Sequence, residues 1–240
     1  MGDLYRFPFD RQGSGEHRFE GRAFRHRSEY SQMPHSTPIV FVVDDDASLR
    51  GSLGSLICSA GWQPKMFGSA EEFLDYPHAV VPTCLVLELS LPGLDGLDLQ
   101  KRAAIECPHM PVIFITDRTD VHSTVQAMKA GALEFLTKPL NNEVLLSAIQ
   151  QGLERSRVDL EHLAEIEALQ DRYSSLSSRE REVMALVVSG RLNKQAAGEL
   201  GISEVTVKAH RGKVMQKMDA DSLADLVKMA GKLGLAQFRM

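Results

Sequence analysis

The sequence predicts two domains: an open α/β domain with a doubly wound parallel sheet, and an all-α domain that a long helix joins to it. Between residues 38 and 150, short apolar runs alternate with helical segments, which is typical of a parallel sheet covered on both faces. From residue 142 to 173 no proline interrupts the helical pattern, and from 174 onward the pattern is helical throughout. A chain of 240 residues is long enough for two modest domains.

In the α/β domain, each strand is predicted from a short apolar or β-branched run, and each helix from apolar residues at three- to four-residue spacing. The predicted strands are 39–43, 63–67, 84–88, 111–115 and 133–136, and the predicted helices are 47–60, 69–75, 95–106, 120–130 and one that begins at 142. Strand and helix in strict alternation predict a flavodoxin-like order. No glycine-rich phosphate loop follows the first strand, which argues against a nucleotide-binding version of this topology.

Polar side chains follow four of the predicted strands at the point where each strand ends. Asp44 and Asp45 follow the first strand, Glu88 ends the third, Thr116 follows the fourth, and Lys138 follows the fifth. Because open α/β sheets place their sites at the carboxyl ends of the strands, we expect these side chains to lie close together.

This order and spacing resemble the receiver domain of two-component response regulators. The resemblance implies that Asp44, Asp45 and the residue at position 88 hold Mg²⁺, that residue 88 accepts a phosphoryl group, and that Thr116 and Lys138 sense it. Phe135 corresponds to the switch aromatic of the family. The chain departs from the family at the central position, where Glu88 stands in place of the phosphoacceptor aspartate.

The additional methylene of Glu88 moves its carboxylate by about 1.5 Å relative to an aspartate. In-line phosphoryl transfer is sensitive to a displacement of this size. Three alternatives follow. The regulator acts without phosphorylation, either because Glu88 mimics the phosphate or because a salt bridge with Lys138 locks one state; or the receiver serves only for dimerisation or docking; or it is conventionally phosphorylated. Mg²⁺ binding depends on the same geometry.

Residues 151–173 are predicted to form a helical linker that continues the last helix of the α/β domain. Apolar residues at three-, four- and seven-residue steps suggest a partial coiled-coil seam, interrupted by Ser156 and Glu167. The predicted seam residues are Leu145, Ile149, Leu153, Leu160, Leu163 and Ile166.

Residues 174–240 predict four helices, and the second and third are joined by the tight turn Gly201-Ile202-Ser203, which is the sequence form of a helix-turn-helix. The segment resembles the LuxR/FixJ (NarL-type) DNA-binding domain in the motifs Leu176-Ser-Ser-Arg-Glu-Arg-Glu-Val, Asn193-Lys-Gln-Ala-Ala, Leu200-Gly-Ile-Ser and Thr206-Val-Lys-Ala-His-Arg. Val207 also belongs, with Val214 and Met218, to an apolar stripe that predicts the core-facing side of the third helix. The predicted DNA-binding residues are Asn193, Lys194, Thr206, Val207, Lys208, His210, Arg211 and Lys213.

Charge is distributed unevenly along the chain. Residues 38–150 carry 7 Lys and Arg against 14 Asp and Glu, whereas residues 174–240 carry 11 against 7. An acidic half followed by a basic half is typical of a regulatory domain joined to a nucleic-acid-binding domain.

Together these features predict a cytoplasmic transcriptional regulator that is not an enzyme. Residues 1–37 lack periodicity and predict a flexible N-terminal arm, and no apolar run is long enough to span a membrane. The resemblance implies promoter DNA, a homodimer formed around residues 120–150, RNA polymerase and a sensor histidine kinase as partners. The alternative is a protein-interaction adaptor whose receiver docks a kinase or another regulator, with DNA binding secondary.

Overall fold

The computed structural model describes residues 37–117 and 121–235. The predicted N-terminal arm therefore lies outside the described residues, except for Thr37. The elements in chain order are β1 (Ile39–Val43), α1 (Ala47–Ser59), β2 (Gln63–Phe67), α2 (Ala70–Asp75), β3 (Thr83–Glu88), α3 (Gly96–Glu106), β4 (Val112–Thr116), α4 (Val121–Lys129), β5 (Glu134–Thr137), α5 (Asn142–Ser174), α6 (Ser178–Val188), α7 (Asn193–Leu200), α8 (Glu204–Met218) and α9 (Leu223–Lys232).

The five strands form one parallel sheet in the order β2-β1-β3-β4-β5. All residues of the three central strands are buried, which explains why their sequences are nearly continuous apolar runs. The edge strands β2 and β5 are partly exposed along most of their length. The predicted doubly wound α/β class is confirmed.

Helices cover both faces of this sheet and enclose two apolar cores. On one face, Leu53 and Ile57 of α1 and Ile149 of α5 pack with Val40 and Val86. On the other face, residues of α2, α3 and α4 pack against side chains of the same strands that point the opposite way; this core includes Phe41, Phe73, Leu87, Leu99, Phe114 and Ala127. Alternate residues of one strand thus serve opposite cores, as the pleat of a strand requires.

Helix α5 continues without interruption for 33 residues, which confirms the predicted long helix. Asn141 is the N-cap of this helix, and its side-chain oxygen accepts hydrogen bonds from the backbone N–H groups of Glu143 and Val144. Gly152 permits a close approach to the sheet, because a Cβ at this position would lie 2.7 Å from the sulfur of Cys84.

The first half of the predicted coiled-coil seam is wrong. Leu145, Ile149 and Leu153 are buried in the core of the α/β domain and therefore do not face a second helix. Ser156 does not interrupt a seam either: it is fully buried, and its hydroxyl oxygen accepts the backbone N–H of Thr83 at 3.0 Å. The side chain satisfies a buried donor at the start of β3.

Helices α6 to α9 form a separate core around Val183, Val207, Val214, Met218 and Leu226. A capping box between Ser177 and Glu180 begins α6. Gly201 ends α7 in the left-handed conformation, with φ of 65°, and so allows the tight turn into α8.

The end of α5 is attached to this helical domain by polar contacts. Arg172 pairs with Asp219 at 3.0 Å and donates to the carbonyl of Met218 at 3.3 Å. Earlier in the linker, Glu165 pairs with Lys232 of α9. Among residues 37–117 and 121–235, no helix has both the length and the apolar composition needed to cross a bilayer.

Candidate functional site

Polar residues from the ends of four neighbouring strands, β1, β3, β4 and β5, lie at the carboxyl edge of the sheet. The register aligns Val43 of β1 with Leu87 of β3, and Glu88 with Ile115 of β4. Asp44, Glu88 and Thr116 therefore reach the same edge, as the sequence predicts. Lys138 joins them, because its backbone N–H donates to the carbonyl of Thr116 at 2.8 Å.

The Lys138 ammonium contacts both buried carboxylates at this edge. Its Nζ lies 2.6 Å from Glu88 Oε2 and 2.9 Å from Asp44 Oδ2. The Asp44 side chain is 0% exposed and the Glu88 side chain 5%, whereas Lys138 is 23% exposed. Burial alone would lower the pKa of Lys138, but the hydrogen bonds to Glu88 and Asp44 and the negative charges of these residues together outweigh burial and raise the pKa above its ordinary value.

The second oxygen of each carboxylate is also engaged. Glu88 Oε1 accepts the backbone N–H of Ser90 at 3.0 Å, and Asp44 Oδ1 accepts that of Asp46 at 2.8 Å. Arg50 donates to the backbone carbonyl of Asp44 at 2.6 Å. The two buried acids are thus held by local backbone donors on one side and by Lys138 on the other.

Of the three predicted magnesium ligands, Asp44 and Glu88 meet at Lys138, whereas Asp45 does not join them. Asp45 is exposed, and the side chains of Asp44 and Glu88 direct an oxygen at Lys138. Within residues 37–117 and 121–235, no three His, Cys, Asp or Glu side chains are grouped so that they could hold a metal ion. The Lys138 ammonium lies between the carboxylates of Asp44 and Glu88, where a hard divalent cation would have to bind. The donor set as arranged does not fit Mg²⁺.

Two further predicted residues lie beside this cluster. Thr116 is fully buried at the end of β4. Phe135 on β5 is half-buried, and its ring centroid lies 6.3 Å from that of Phe114. The aromatic side chain therefore packs on the core beneath the polar edge.

The second candidate site is the exposed face of α8. Lys208, Lys213 and Thr206 are exposed there, as the sequence predicts, whereas His210 and Arg211 are half-buried. Arg211 donates to the side-chain oxygen of Asn193 at 3.3 Å, which ties α8 to the start of α7. Lys194 is exposed in the first turn of α7.

The assignment of Val207 to the DNA-facing side is wrong. Val207 is 0% exposed and packs in the core with Val214 and Met218. The apolar side chain on the outer face is instead Val205, which is 79% exposed and is not among the DNA-binding residues predicted from the sequence. Helical spacing gives the signal that identifies it, because Val205 lies two residues from the buried stripe and so faces away from it.

Two families of known proteins match the chain, one in the α/β domain and one in the helical domain. Residues 40–150 match the model of the response regulator receiver domain, and residues 174–230 match that of bacterial regulatory proteins of the luxR family. Nodulation protein W from Bradyrhizobium diazoefficiens is 48% identical over 198 residues, which cover 82% of this chain and 87% of the relative. The chain belongs to the response regulator family.

Other members of the family agree with this assignment. The transcriptional regulatory protein FixJ from Bradyrhizobium diazoefficiens is 37% identical, over 82% of this chain and 96% of FixJ. The solved structure of the response regulator StyR is 44% identical, covers 82% of this chain and all of StyR, and superposes with a TM-score of 0.74. A receiver domain joined to a LuxR-type DNA-binding domain makes this response regulator a transcriptional regulator.

The receiver-plus-helix-turn-helix class predicted from the sequence is therefore confirmed. The domain boundaries at 37/38, 150/151 and 173/174 stay predictions. Except for Val207, whose burial excludes it from the outer face of α8, the roles of the individual site residues and of Glu88 as phosphoacceptor equivalent also stay predictions.

Proposed function

We propose that this response regulator binds promoter DNA and regulates transcription without phosphorylation of its receiver domain. The observation that carries the proposal is the 2.6 Å ion pair between Lys138 and Glu88, with Asp44 as the second partner of the same ammonium. Glu88 stands at the position where the family carries its phosphoacceptor aspartate, and Lys138 stands at the position of the phosphate-sensing lysine.

Phosphorylation of Glu88 would require a free carboxylate oxygen in line with the donor. Both oxygens of Glu88 are engaged, one by Lys138 and one by the Ser90 backbone, and the residue is only 4% exposed. A donor would have to displace the ammonium from Glu88 Oε2. The ion pair gives Lys138 an anionic partner without phosphorylation, although a carboxylate carries less charge and fewer acceptor oxygens than a phosphoryl group.

The same contacts bear on the cofactor. Mg²⁺ binding through Asp44, Asp45 and Glu88 would have to separate Lys138 from its partners before the cation reached two of its three ligands. We therefore propose that divalent cations are not needed for the active state of this regulator.

We propose that the active form is a cytoplasmic homodimer on double-stranded promoter DNA. The receiver exposes apolar side chains around the face predicted for dimerisation, namely Val121, Val125, Met128 and Val144. Two copies of α8 related by a twofold axis would contact two half-sites of matching symmetry. RNA polymerase and a sensor histidine kinase are proposed as further partners from the family alone.

The proposal is tested on the purified full-length protein with DNA sites selected from a random pool. Binding and oligomeric state are measured with and without Mg²⁺ and a small-molecule phosphoryl donor, for the wild type and for Glu88→Asp. Wild type is expected to bind as a dimer with an affinity that the donor does not change. Glu88→Asp, which restores the family residue, is expected to bind more weakly until the donor is added.

Strengthening of wild-type binding by the donor, with a mass increase of one phosphoryl group, would overturn phosphorylation independence. The adaptor alternative is distinguished by salt. Binding through phosphate contacts makes the logarithm of the affinity fall linearly with the logarithm of salt concentration. A weak DNA affinity that changes neither with salt nor with sequence would support the adaptor.

A further inference from the structure

We propose that Val205 is a specificity-determining residue that reads the 5-methyl group of a thymine in the major groove. The inference rests on the proposed DNA-binding function and deepens it by naming a base. An exposed apolar side chain lies on a face of α8 whose exposed lysines are suited to bind DNA. Val205 is 79% exposed in the first turn of α8, and Lys208 and Lys213 are exposed on the same side.

Val205 makes no contribution to the core that would explain an apolar residue here. The core side of α8 is formed by Val207, Val214 and Met218, which are 0–1% exposed. A β-branched residue is also a weaker helix former than alanine, lysine or glutamate. Packing within the chain therefore does not account for valine at this position, and the proposed contact with DNA would give it a role.

The groups that the bases present in the major groove determine which of them valine can recognise. Guanine, cytosine and adenine present hydrogen-bond donors and acceptors there, and thymine adds the only methyl group. Valine has no polar atom and so cannot distinguish the donor and acceptor patterns. Its two methyl groups can only make an apolar contact, and the thymine methyl is the apolar partner that the groove provides.

The local geometry allows this contact. The first turn of α8 is fixed at the residues around Val205, because Ser203 Oγ accepts the Thr206 N–H at 3.1 Å and lies 2.8 Å from the Thr206 hydroxyl. Residues near the N-terminus of a recognition helix are those that reach base edges. A stiff χ1 rotamer on a capped turn presents the two methyl groups in one orientation.

The rest of the outer face leaves room for close approach. Gly212 lies seven residues after Val205 and hence on the same side of the helix. A Cβ at Gly212 would meet no atom of the chain within 4 Å, so the absence of a side chain is not required by packing within the protein. Lys208 and Lys213 flank this face, where they can contact phosphates.

The inference is tested with full-length protein and a selected operator in which each thymine of a half-site is replaced in turn by uracil. This substitution removes only the 5-methyl group and leaves base pairing unchanged. Wild type is expected to lose about three- to fivefold in affinity at one position of the half-site, as for the loss of one buried methyl-sized contact. Val205→Ala removes two methyl groups and is expected to bind the thymine operator more weakly and to show a smaller difference between the two operators.

Two variants serve as controls. Val158→Ala shortens another exposed valine, on α5, and is expected to keep the wild-type ratio between thymine and uracil operators. Val205→Thr keeps the shape of the side chain but replaces a methyl group with a hydroxyl, and is expected to reduce the ratio. Thermal unfolding of Val205→Ala checks that the fold is retained, which its exposure predicts.

A wild-type affinity that is equal for thymine and uracil at every position would overturn the inference, and so would a ratio that is unchanged in Val205→Ala. Either result leaves DNA binding itself intact. Failure of the wild type to bind any selected DNA would instead overturn the proposed function, and this inference with it.

Discussion

Replacing Lys138 by methionine is expected to destabilise the receiver domain strongly. The change removes the ammonium that Asp44 and Glu88 share and leaves two carboxylates at the buried edge of the sheet. Breaking a buried ion pair by removing one partner costs about 3–5 kcal/mol. Because 23% of the Lys138 side chain is exposed and water screens part of the interaction, a loss of about 3 kcal/mol in the free energy of unfolding is expected.

Chemical and thermal unfolding of the purified full-length protein measure this loss. Urea unfolding followed by circular dichroism gives the free energy, and the receiver transition is expected to shift down by roughly 10 °C on heating. Lys101→Met is the matched control, because Lys101 pairs with Asp98 on the surface and its side chain is 66% exposed. Such a pair contributes no more than about 1 kcal/mol.

A second substitution identifies the cause of the loss. Glu88→Gln in the Lys138→Met background removes one of the two unpaired charges, so it is expected to recover about 1 kcal/mol or more. An unfolding free energy of Lys138→Met within about 1 kcal/mol of that of Lys101→Met would refute the reasoning. It would mean that the carboxylates find other partners or water, and that the ion pair does not hold the receiver in one state.

Two further predictions concern the remaining elements. Gly152→Ala is expected to destabilise the receiver by about 1–2 kcal/mol in urea unfolding, because its Cβ would lie 2.7 Å from the Cys84 sulfur and this overpacking outweighs the gain in helix propensity. In the helical domain, hydrogen bonds from Lys217 and the Ser177 backbone lower the pKa of Glu180 to about 2. The stability that this carboxylate contributes is complete above its ordinary pKa of 4.5 and is lost as pH falls toward 2; Lys217→Met is expected to weaken that dependence in pH-dependent thermal unfolding.

Each of these two predictions has a contrasting outcome. Gly231 in α9 has no atom within 4 Å of a Cβ position, so Gly231→Ala is expected to be neutral or stabilising. A Gly152→Ala variant that behaved in the same way would show that α5 and the sheet adjust without cost. An unchanged acid dependence in Lys217→Met would show that local backbone donors alone hold the charge of Glu180.

The sheet and the long helix follow from local patterns in the sequence. Ile39–Val43, Thr83–Glu88 and Val112–Thr116 are almost continuous apolar runs because both faces of a central parallel strand are covered. Polar residues that end such runs meet at one edge because all strands point the same way. The convergence of Asp44, Glu88 and Lys138 was therefore predictable, and Lys138 as a partner of Glu88 was one of the alternatives left open.

The partners of other polar residues were not predictable, because they depend on contacts distant in sequence. Ser156 falls on the buried side of α5, between Leu153 and Leu160, but its polar character suggested an interruption. Its acceptor role depends on a backbone N–H of Thr83, 73 residues away. For Val207, the apolar spacing with Val214 and Met218 was the correct indicator, and the position inferred from resemblance was not.

Helix α5 is one continuous helix that connects the receiver to the helical domain. Its 33 residues correspond to about 50 Å of continuous helix, with Leu145 to Leu153 embedded under the sheet and Glu165 and Arg172 fastened to the helical domain. Each residue added between these attachments would rotate one end against the other by about 100°. The number of residues in the linker therefore sets the rotation of the helical domain about the axis of α5 relative to the receiver. Seven added residues would nearly restore the original orientation, whereas two would turn α8 to the opposite side of α5.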